Sequence, residues 1–312
     1  MQSSQVKLNE ENIYGWNGYR LKTGDISLGI TPQIGGRIMS LTYHGEELLF
    51  VQEEHKGEVF DFSHVEDLAR EKERLGFRVW GGDKTWVAPQ SAWWSKIPPL
   101  ELDAGQYSVH VNDNVLEMIS PLCRETGLQI IRQVVLNEDQ SIMLTETFRN
   151  TTDKEIHRGI WNVTQVLRPF DVYMQAKKEN IHAYEEEGLI EEAARKISAQ
   201  EDWVKIQCDN KTQFKFGGIV EQGIIMALRK KDENETLAFM REFSIDLQAT
   251  YAHDAIVEVY NSPTYEYLEI EVHAPIIKLQ KEQETTHRQT WKIVQYNGDA
   301  SPSFAVEYFS KL

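Results

Sequence analysis

Cysteine is scarce in this chain: Cys123 and Cys208 are the only two in 312 residues, far apart and without metal-type spacing. A disulfide scaffold and a cysteine zinc site are therefore excluded, and both thiols read as reduced structural residues. No apolar run approaches the length of a membrane span, and the opening MQSSQVKLNEENIYGW lacks the basic-then-apolar order of an export signal. The expectation is a cytoplasmic protein, in which the Asn-x-Thr matches at Asn150, Asn162, Asn210 and Asn234 carry no meaning for glycosylation. Basic blocks are missing as well. With 49 acidic against 33 basic residues the formal charge is −16, which disfavours nucleic acid and anionic membranes as partners.

Several catalytic signatures are also absent. There is no G-x-S-x-G elbow, and the glycine pairs at Gly35, Gly81 and Gly217 match neither a phosphate loop nor a dinucleotide fingerprint, so no nucleotide cofactor is expected. The nine histidines include no H-x-x-x-H or H-x-H pair. No dedicated transition-metal site follows from such spacing, and only a calcium ion held by carboxylates stays open.

What the chain has in abundance is period two. Ile26, Leu28 and Ile30 alternate with Ser27, Gly29 and Thr31, and a second strand runs from Arg37 to Tyr43 before a turn at His44 and Gly45. From Gly127 onward LQIIRQVVL, SIMLTETFRN and IHRGIWNVTQV follow each other across short polar turns, which makes them antiparallel neighbours. FKFGGIV, GIIMALRK, ETLAFMREF, AIVEVY, YEYLEIEVHAP and HRQTWKIVQY continue the pattern. So many strands without a break in composition imply one large sandwich or barrel over residues 1–312. Two segments depart from the rhythm. FSHVEDLAREKERLGF reads as a helix or ordered loop that covers one end of the sheet, and within residues 171–207 Leu189, Ile190, Ala193, Ala194 and Ile197 recur at helical spacing, predicting a helical insertion that serves as a structural cap. The periodic pattern leaves the oligomeric state open.

Two runs carry candidate chemistry. VWGGDKTWVAPQSAWWSKIPP holds Trp80, Trp86, Trp93 and Trp94, half of the eight tryptophans, together with Lys84, Gln90 and the glycine pair Gly81–Gly82. Indole faces stack on the C–H side of a sugar ring, lysine supplies a charged donor, and glycine allows close backbone approach; the alternative is core filling. In YEYLEIEVHAP, strand alternation puts Tyr265, Tyr267, Glu269, Glu271 and His273 on one face and Leu268, Ile270 and Val272 on the other. Two carboxylates one strand repeat apart (about 7 Å) beside an imidazole suit proton transfer; the alternative is a solvated outer face.

The order of GGRI (Gly35 to Ile38), GG-x-x-x-W-x-x-P (Gly81 to Pro89), TGLQI-x-R (Thr126 to Arg132), WNVTQV, LEIE and THRQTWKI resembles an uncharacterised family within the galactose mutarotase-like, or aldose 1-epimerase-like, superfamily. The resemblance spans nearly the whole chain. It implies a mainly β fold, an antiparallel β-supersandwich with a short helical insertion and a carbohydrate site on the concave face of the larger sheet. In enzymes of this superfamily a late-strand glutamate is base toward the anomeric hydroxyl and a mid-chain histidine is acid toward the ring oxygen. The resemblance thus gives Glu271 or Glu269 the role of base; Glu271 is the better candidate, with Glu269 as the neighbour tuning its pKa and Lys84 or His273 as electrophilic partner. The sequence departs at the mid-chain strand, where Trp161 and Asn162 stand near the position of the family's histidine and His157 lies at the strand's beginning. Arg37, Arg78, Trp86, Gln90, Trp93, Trp94, Trp161, Asn162, Gln165 and Tyr267 complete the expected carbohydrate site, with no metal and no cofactor. Three functions fit: anomer interconversion, sugar binding without turnover, or a lyase acting on an acidic sugar whose carboxylate meets Lys84, Arg78 and Arg37.

Overall fold

A strand that is apolar on one side must have that side covered, and the chain covers its strands with each other. The computed structural model describes residues 5–311 and places them in two antiparallel sheets of twelve and ten strands. The middle of the larger sheet runs, in neighbouring order, Arg37–Tyr43, Asp83–Ala88, Ile156–Leu167, Tyr267–His273, Val257–Asn261 and Phe214–Gly218. The facing sheet is centred on Ile224–Lys230, Glu235–Phe243, Glu284–Asn297, Ile142–Asn150 and Leu128–Leu136. Between them lies a core in which Leu268, Ile270 and Val272 of the late strand meet one continuous cluster with Val257, Val259, Phe214, Phe216, Ile130, Leu144 and Phe239. The antiparallel β-sandwich and the alternation on which it rests are as the sequence predicts.

The helix expected before the tryptophan segment forms as Leu68–Leu75, with the Asp67 carboxylate accepting from the Arg70 N–H at 3.0 Å and Gly76 closing it at φ +69°. The insertion behaves differently. Its helix is confined to Ile190–Ala193: Leu189 and Ile190 face solvent, Ala193 alone of that turn is buried, and Ile197 enters the core from a strand. Asp171–Gln175, Ile197–Gln200 and Trp203–Gln207 instead join the smaller sheet, and Ile181–Ala183 pairs at the edge of the larger one. No helix among the described residues is long and apolar enough to cross a membrane.

The sandwich interior is not wholly apolar. Beneath the centre of the larger sheet, Asp83, Asn162 and Thr164 point toward Arg132, Glu146, Arg241 and Gln289 of the opposite sheet, each buried to within a few per cent. Arg132 bonds Asp83 and the Gly36 carbonyl (2.6 Å), and Arg241 bonds Asn162, Thr164 (2.8 Å), Gln289 (3.0 Å) and the Ile270 carbonyl (2.9 Å). Asn162 donates to Asp83 (3.0 Å) and Glu146 (2.9 Å), and Thr164 donates to Asp83 (2.7 Å). Two arginines thus neutralise two carboxylates, the condition under which buried charge is tolerated. This corrects the expectation for Asn162, which is a strut between the sheets: its neighbour Trp161 faces the other way, and adjacent strand residues cannot share a face. Replacing Arg132 by methionine should destabilise the protein by about 3–5 kcal/mol in chemical denaturation, because Asp83 is left charged and unpaired; a loss below about 1 kcal/mol would show that the network is dispensable.

Candidate functional site

On the face of the larger sheet that points away from the core the register assembles a grid from five strands. Trp86, Trp161 and His273 lie side by side in one row; Lys84, Val163, Glu271, Glu258 and Gly217 form the next; Gln165, Glu269, Tyr260 and Lys215 form the third. Cross-strand neighbours of this kind are in contact distance, so charge and aromatic character are set pair by pair. Although it is the outer face, it is nearly closed to solvent: Glu269 is 8 % exposed, Lys84 3 %, His273 1 % and Glu271 0 %. A solvated acidic surface is therefore excluded for this strand.

The aromatic part is built on Trp161, whose ring lies 5.1 Å from Trp86, 5.9 Å from Trp93 and 5.2 Å from His273. The Trp86 N–H donates to Asp103 Oδ1 (2.7 Å), and Arg37 holds the same carboxylate at 2.5 Å. Arg37 itself is fully enclosed and reaches the site only through Asp103. The Trp93 N–H is taken by the Val87 carbonyl at 2.7 Å. Lys84 packs over the Trp86 ring (4.7 Å) and pairs with Glu269 Oε1 (3.3 Å), which also accepts from Gln165 (2.8 Å). Lys84 thus lies within the grid beside the indole of Trp86, and burial pulls its pKa down against the pull of Glu269.

The centre is a pair of carboxylates facing each other across strands, Glu258 and Glu271. Glu258 accepts from four donors: Tyr184 (2.6 Å) and His253 Nδ1 (3.1 Å) on one oxygen, Lys215 (2.9 Å) and His273 Nε2 (3.0 Å) on the other. Burial alone would raise its pKa, but Lys215 and the imidazoles outweigh that and hold it well below the usual carboxylate range. Glu271 accepts on Oε2 only, from Trp161 (2.7 Å) and Lys215 (3.0 Å), while its Oε1 is buried without a partner. Burial, followed by the charges of Glu258 and Glu269, pushes its pKa well up against the pull of Lys215. The two shifts run in opposite directions, so the pair favours charge on Glu258 and a proton on Glu271.

Sequence reasoning placed Glu269 beside Glu271 as the tuning carboxylate; the structure adds Glu258 directly opposite. Lys215, Glu258, His253, Tyr184 and Tyr260 were missed. Lys215 and Glu258 had a legible signal: each is a lone charge between apolar residues at strand spacing, Phe214 and Phe216 in one case, Val257 and Val259 in the other. His253 had none, since it comes from a short turn in which it and Asp254 both take left-handed φ values of 57° and 53°, a costly conformation for non-glycine residues. Tyr184 comes from the insertion expected to be only a cap, and it reaches Glu258 because a side chain at Gly217 would collide with its hydroxyl.

Other expected residues lie elsewhere. Arg78 is taken up by Glu58 (2.7 Å) and the Phe60 and Trp80 rings, because those partners surround its base. Trp94 is 52 % exposed and outside the aromatic cluster. Tyr267 packs on Phe50 (5.0 Å) beyond Glu269, and Gln90 sits at the rim, its N–H directed to His253 at 3.4 Å. Gly81 and Gly82 do allow close approach, but of the Phe50 and Ile38 carbonyls rather than of a ligand. The structure also brings His253, Glu258 and His273 within 4.8 Å of one another, an arrangement of metal-ligand type that no sequence spacing announces. Here Glu258 is already saturated by four donors, one of them an ammonium, so the trio acts as a hydrogen-bond hub.

The two-sheet antiparallel sandwich is the galactose mutarotase-like fold. It is similar to a galactose mutarotase-like protein from Clostridium acetobutylicum (TM-score 0.57, 12 % identity, 94 % of this chain and 99 % of that one). It is also similar to a galactose mutarotase-like protein from Lactobacillus casei (TM-score 0.55, 7 % identity, 88 % and 99 %) and to a galactose mutarotase related enzyme from Lactobacillus acidophilus (TM-score 0.50, 10 % identity, 91 % and 98 %). At such identities the likeness is one of fold. The chain belongs to the family described as domain of unknown function DUF4380, whose profile matches residues 17–294. No curated protein matches the sequence.

Because the fold raises the pKa of Glu271, it favours the protonated carboxyl, and that contribution is complete below the unfolded value and lost as pH rises through the folded one. Glu271→Gln removes the titration. Its melting temperature should therefore gain on the wild type as pH is raised from about 4 to about 9, and a flat difference would contradict the assignment.

Proposed function

We propose that the outer face of the larger sheet binds a monosaccharide and interconverts its anomers by general acid–base catalysis, with Glu271 and Glu269 as the proton carriers. The observation that carries this reading is the inequality of the acidic groups: Glu271, whose pKa burial pushes well up, has an unpartnered oxygen, whereas both hydrogen bonds of Glu269 fall on Oε1 and leave its other oxygen to accept. Trp86 and Trp161 offer the apolar faces on which a pyranose would lie.

In the reaction Glu269 takes the proton of the anomeric hydroxyl as Glu271 gives one to the ring oxygen, and the bond from C1 to the ring oxygen breaks to leave an open-chain aldehyde. The Lys84 ammonium, beside Glu269, steadies the carbonyl oxygen. Rotation about the bond between C1 and C2 presents the other carbonyl face; ring closure then returns the first proton to the anomeric oxygen and the second to Glu271. No atom is gained or lost. The mid-chain strand supplies Trp161 instead of an imidazole, and the proton for the ring oxygen comes from a carboxyl. The reading also implies a water-soluble sugar as partner and activity without a cofactor.

Anomer exchange followed by NMR on a panel of aldoses tests this. Glu271→Gln and Glu269→Gln should each slow exchange by about 10²–10⁴-fold, the usual contribution of a positioned acid or base, while a sugar still binds. Trp86→Ala should weaken binding by about 1–3 kcal/mol. Tight binding with no exchange in the wild type would identify a non-catalytic sugar module, and full exchange in both glutamine variants would remove the late strand from the chemistry.

A further inference from the structure

The groups assigned above to the sugar are sealed. Glu271, Trp161, Lys84 and Glu269 are all buried, so no pyranose touches them until something over the face moves. Three segments reach over it. The tryptophan loop sends in Trp93, whose ring stacks on Trp161 and whose N–H the Val87 carbonyl holds. The turn sends in His253, flanked by the buried Ala252 and Ala255, to Glu258. The insertion sends in Tyr184: its hydroxyl donates to Glu258 Oε1 (2.6 Å) and lies 3.1 Å from the His253 carbonyl, and the Lys215 ammonium sits 5.7 Å from the centre of its ring.

The three are not equally held. Buried side chains tie the first two to the core, whereas between the buried Ile181 and Ala193 no residue of the insertion is buried, and Leu189 and Ile190 stand in solvent. Its attachment to the sheet is polar: the short ladder of Ile181–Ala183 with Phe216–Gly218, the Tyr184 N–H on the Lys215 carbonyl (3.0 Å), and the phenol on Glu258. A segment with few apolar contacts opens locally while the core stays folded. The phenol's bond to a carboxylate is the strongest kind of neutral-to-charged tie among these. Gly188 adds a second close contact, for its backbone, at φ +153°, packs so near Gln213 that a Cβ would stand 2.1 Å from that carbonyl.

We propose that residues 182–192 are a lid over the acidic face, latched by the Tyr184–Glu258 hydrogen bond, and that a monosaccharide enters when this latch breaks. The lid's role rests on the sugar-binding reading of the same face. Because the closed form excludes the sugar, the open fraction sets how fast and how tightly a sugar is taken up, and loosening the latch raises that fraction.

Hydrogen–deuterium exchange of the protein alone, and stopped-flow binding of glucose, galactose and mannose, test this. Tyr184→Phe keeps the ring and removes the latch; Gly188→Ala pushes the backbone off Gln213 and keeps the phenol. Tyr184→Phe should speed amide exchange within residues 182–192 by about tenfold or more, the worth of a hydrogen bond to a charged group, and Gly188→Ala should speed it in the same segment. Exchange in the strand Tyr267–His273 should stay at the wild-type rate in both, which shows the sheet intact. A sugar that binds the wild type should associate about tenfold faster with Tyr184→Phe. Wild-type exchange within residues 182–192 in either variant, or association with Tyr184→Phe at the wild-type rate, overturns the lid and leaves the sugar site standing. Failure of all three sugars to bind the wild type and both variants overturns both readings.

Discussion

Arg132 and Arg241 fix the underside of the strands on whose upper face the acidic groups stand. A strand that is polar on both sides cannot rest on hydrophobic burial alone, and Asp83–Ala88 and Ile156–Leu167 carry Asp83, Asn162 and Thr164 downward while they carry Lys84, Trp86, Trp161 and Gln165 upward. The two guanidiniums, delivered from the opposite sheet, convert that liability into specific bonds. Because Arg241 also holds the Ile270 carbonyl, between Glu269 and Glu271, the network sets the height of the late strand directly under its carboxylates. A half-satisfied set of buried charges would be worse than an apolar core, which gives the central strands one register.

On the upper face the same logic works through inequality. Glu258 and Glu271 are register partners sharing one lysine, and nothing in their residue type separates them. Their neighbours do. Two imidazoles and a phenol converge on Glu258, whereas Glu271 receives one indole N–H and keeps an oxygen bare. The mid-chain strand has no imidazole beside Trp161; His253 and His273 instead enter from a turn and from the end of the late strand, where they orient a carboxylate and favour its charge.

Much of this was legible in period two. The strands and the partition of Glu269, Glu271 and His273 from Leu268, Ile270 and Val272 follow from alternation; alternation left a sandwich or a barrel, and the family resemblance implied the sandwich. Applied with equal strictness, alternation would have removed Asn162 from the face that holds Trp161, and it would have marked Lys215 and Glu258 as charges pointing the same way out of two apolar strands. What period two could not supply is which strands become neighbours: Val257–Asn261 and Phe214–Gly218 join the late strand by pairing across the sheet, so Glu258 meets Glu271 through topology. His253 and Tyr184 lie in irregular segments, where only the tertiary structure decides direction. The helical period over Leu189 to Ile197 is real in the sequence, but Leu189 and Ile190 stay exposed, Ile197 is drawn into a strand, and only one turn of helix forms.

The central claim is that Glu271 carries a proton at neutral pH beside an ionised Glu258. Infrared spectroscopy reads this directly, since a protonated carboxyl has a C=O stretch distinct from that of a carboxylate. The difference spectrum between the wild type and Glu271→Gln at neutral pH should contain a protonated-carboxyl band that fades as the solution is made alkaline. A difference spectrum showing a carboxylate in its place would contradict the account.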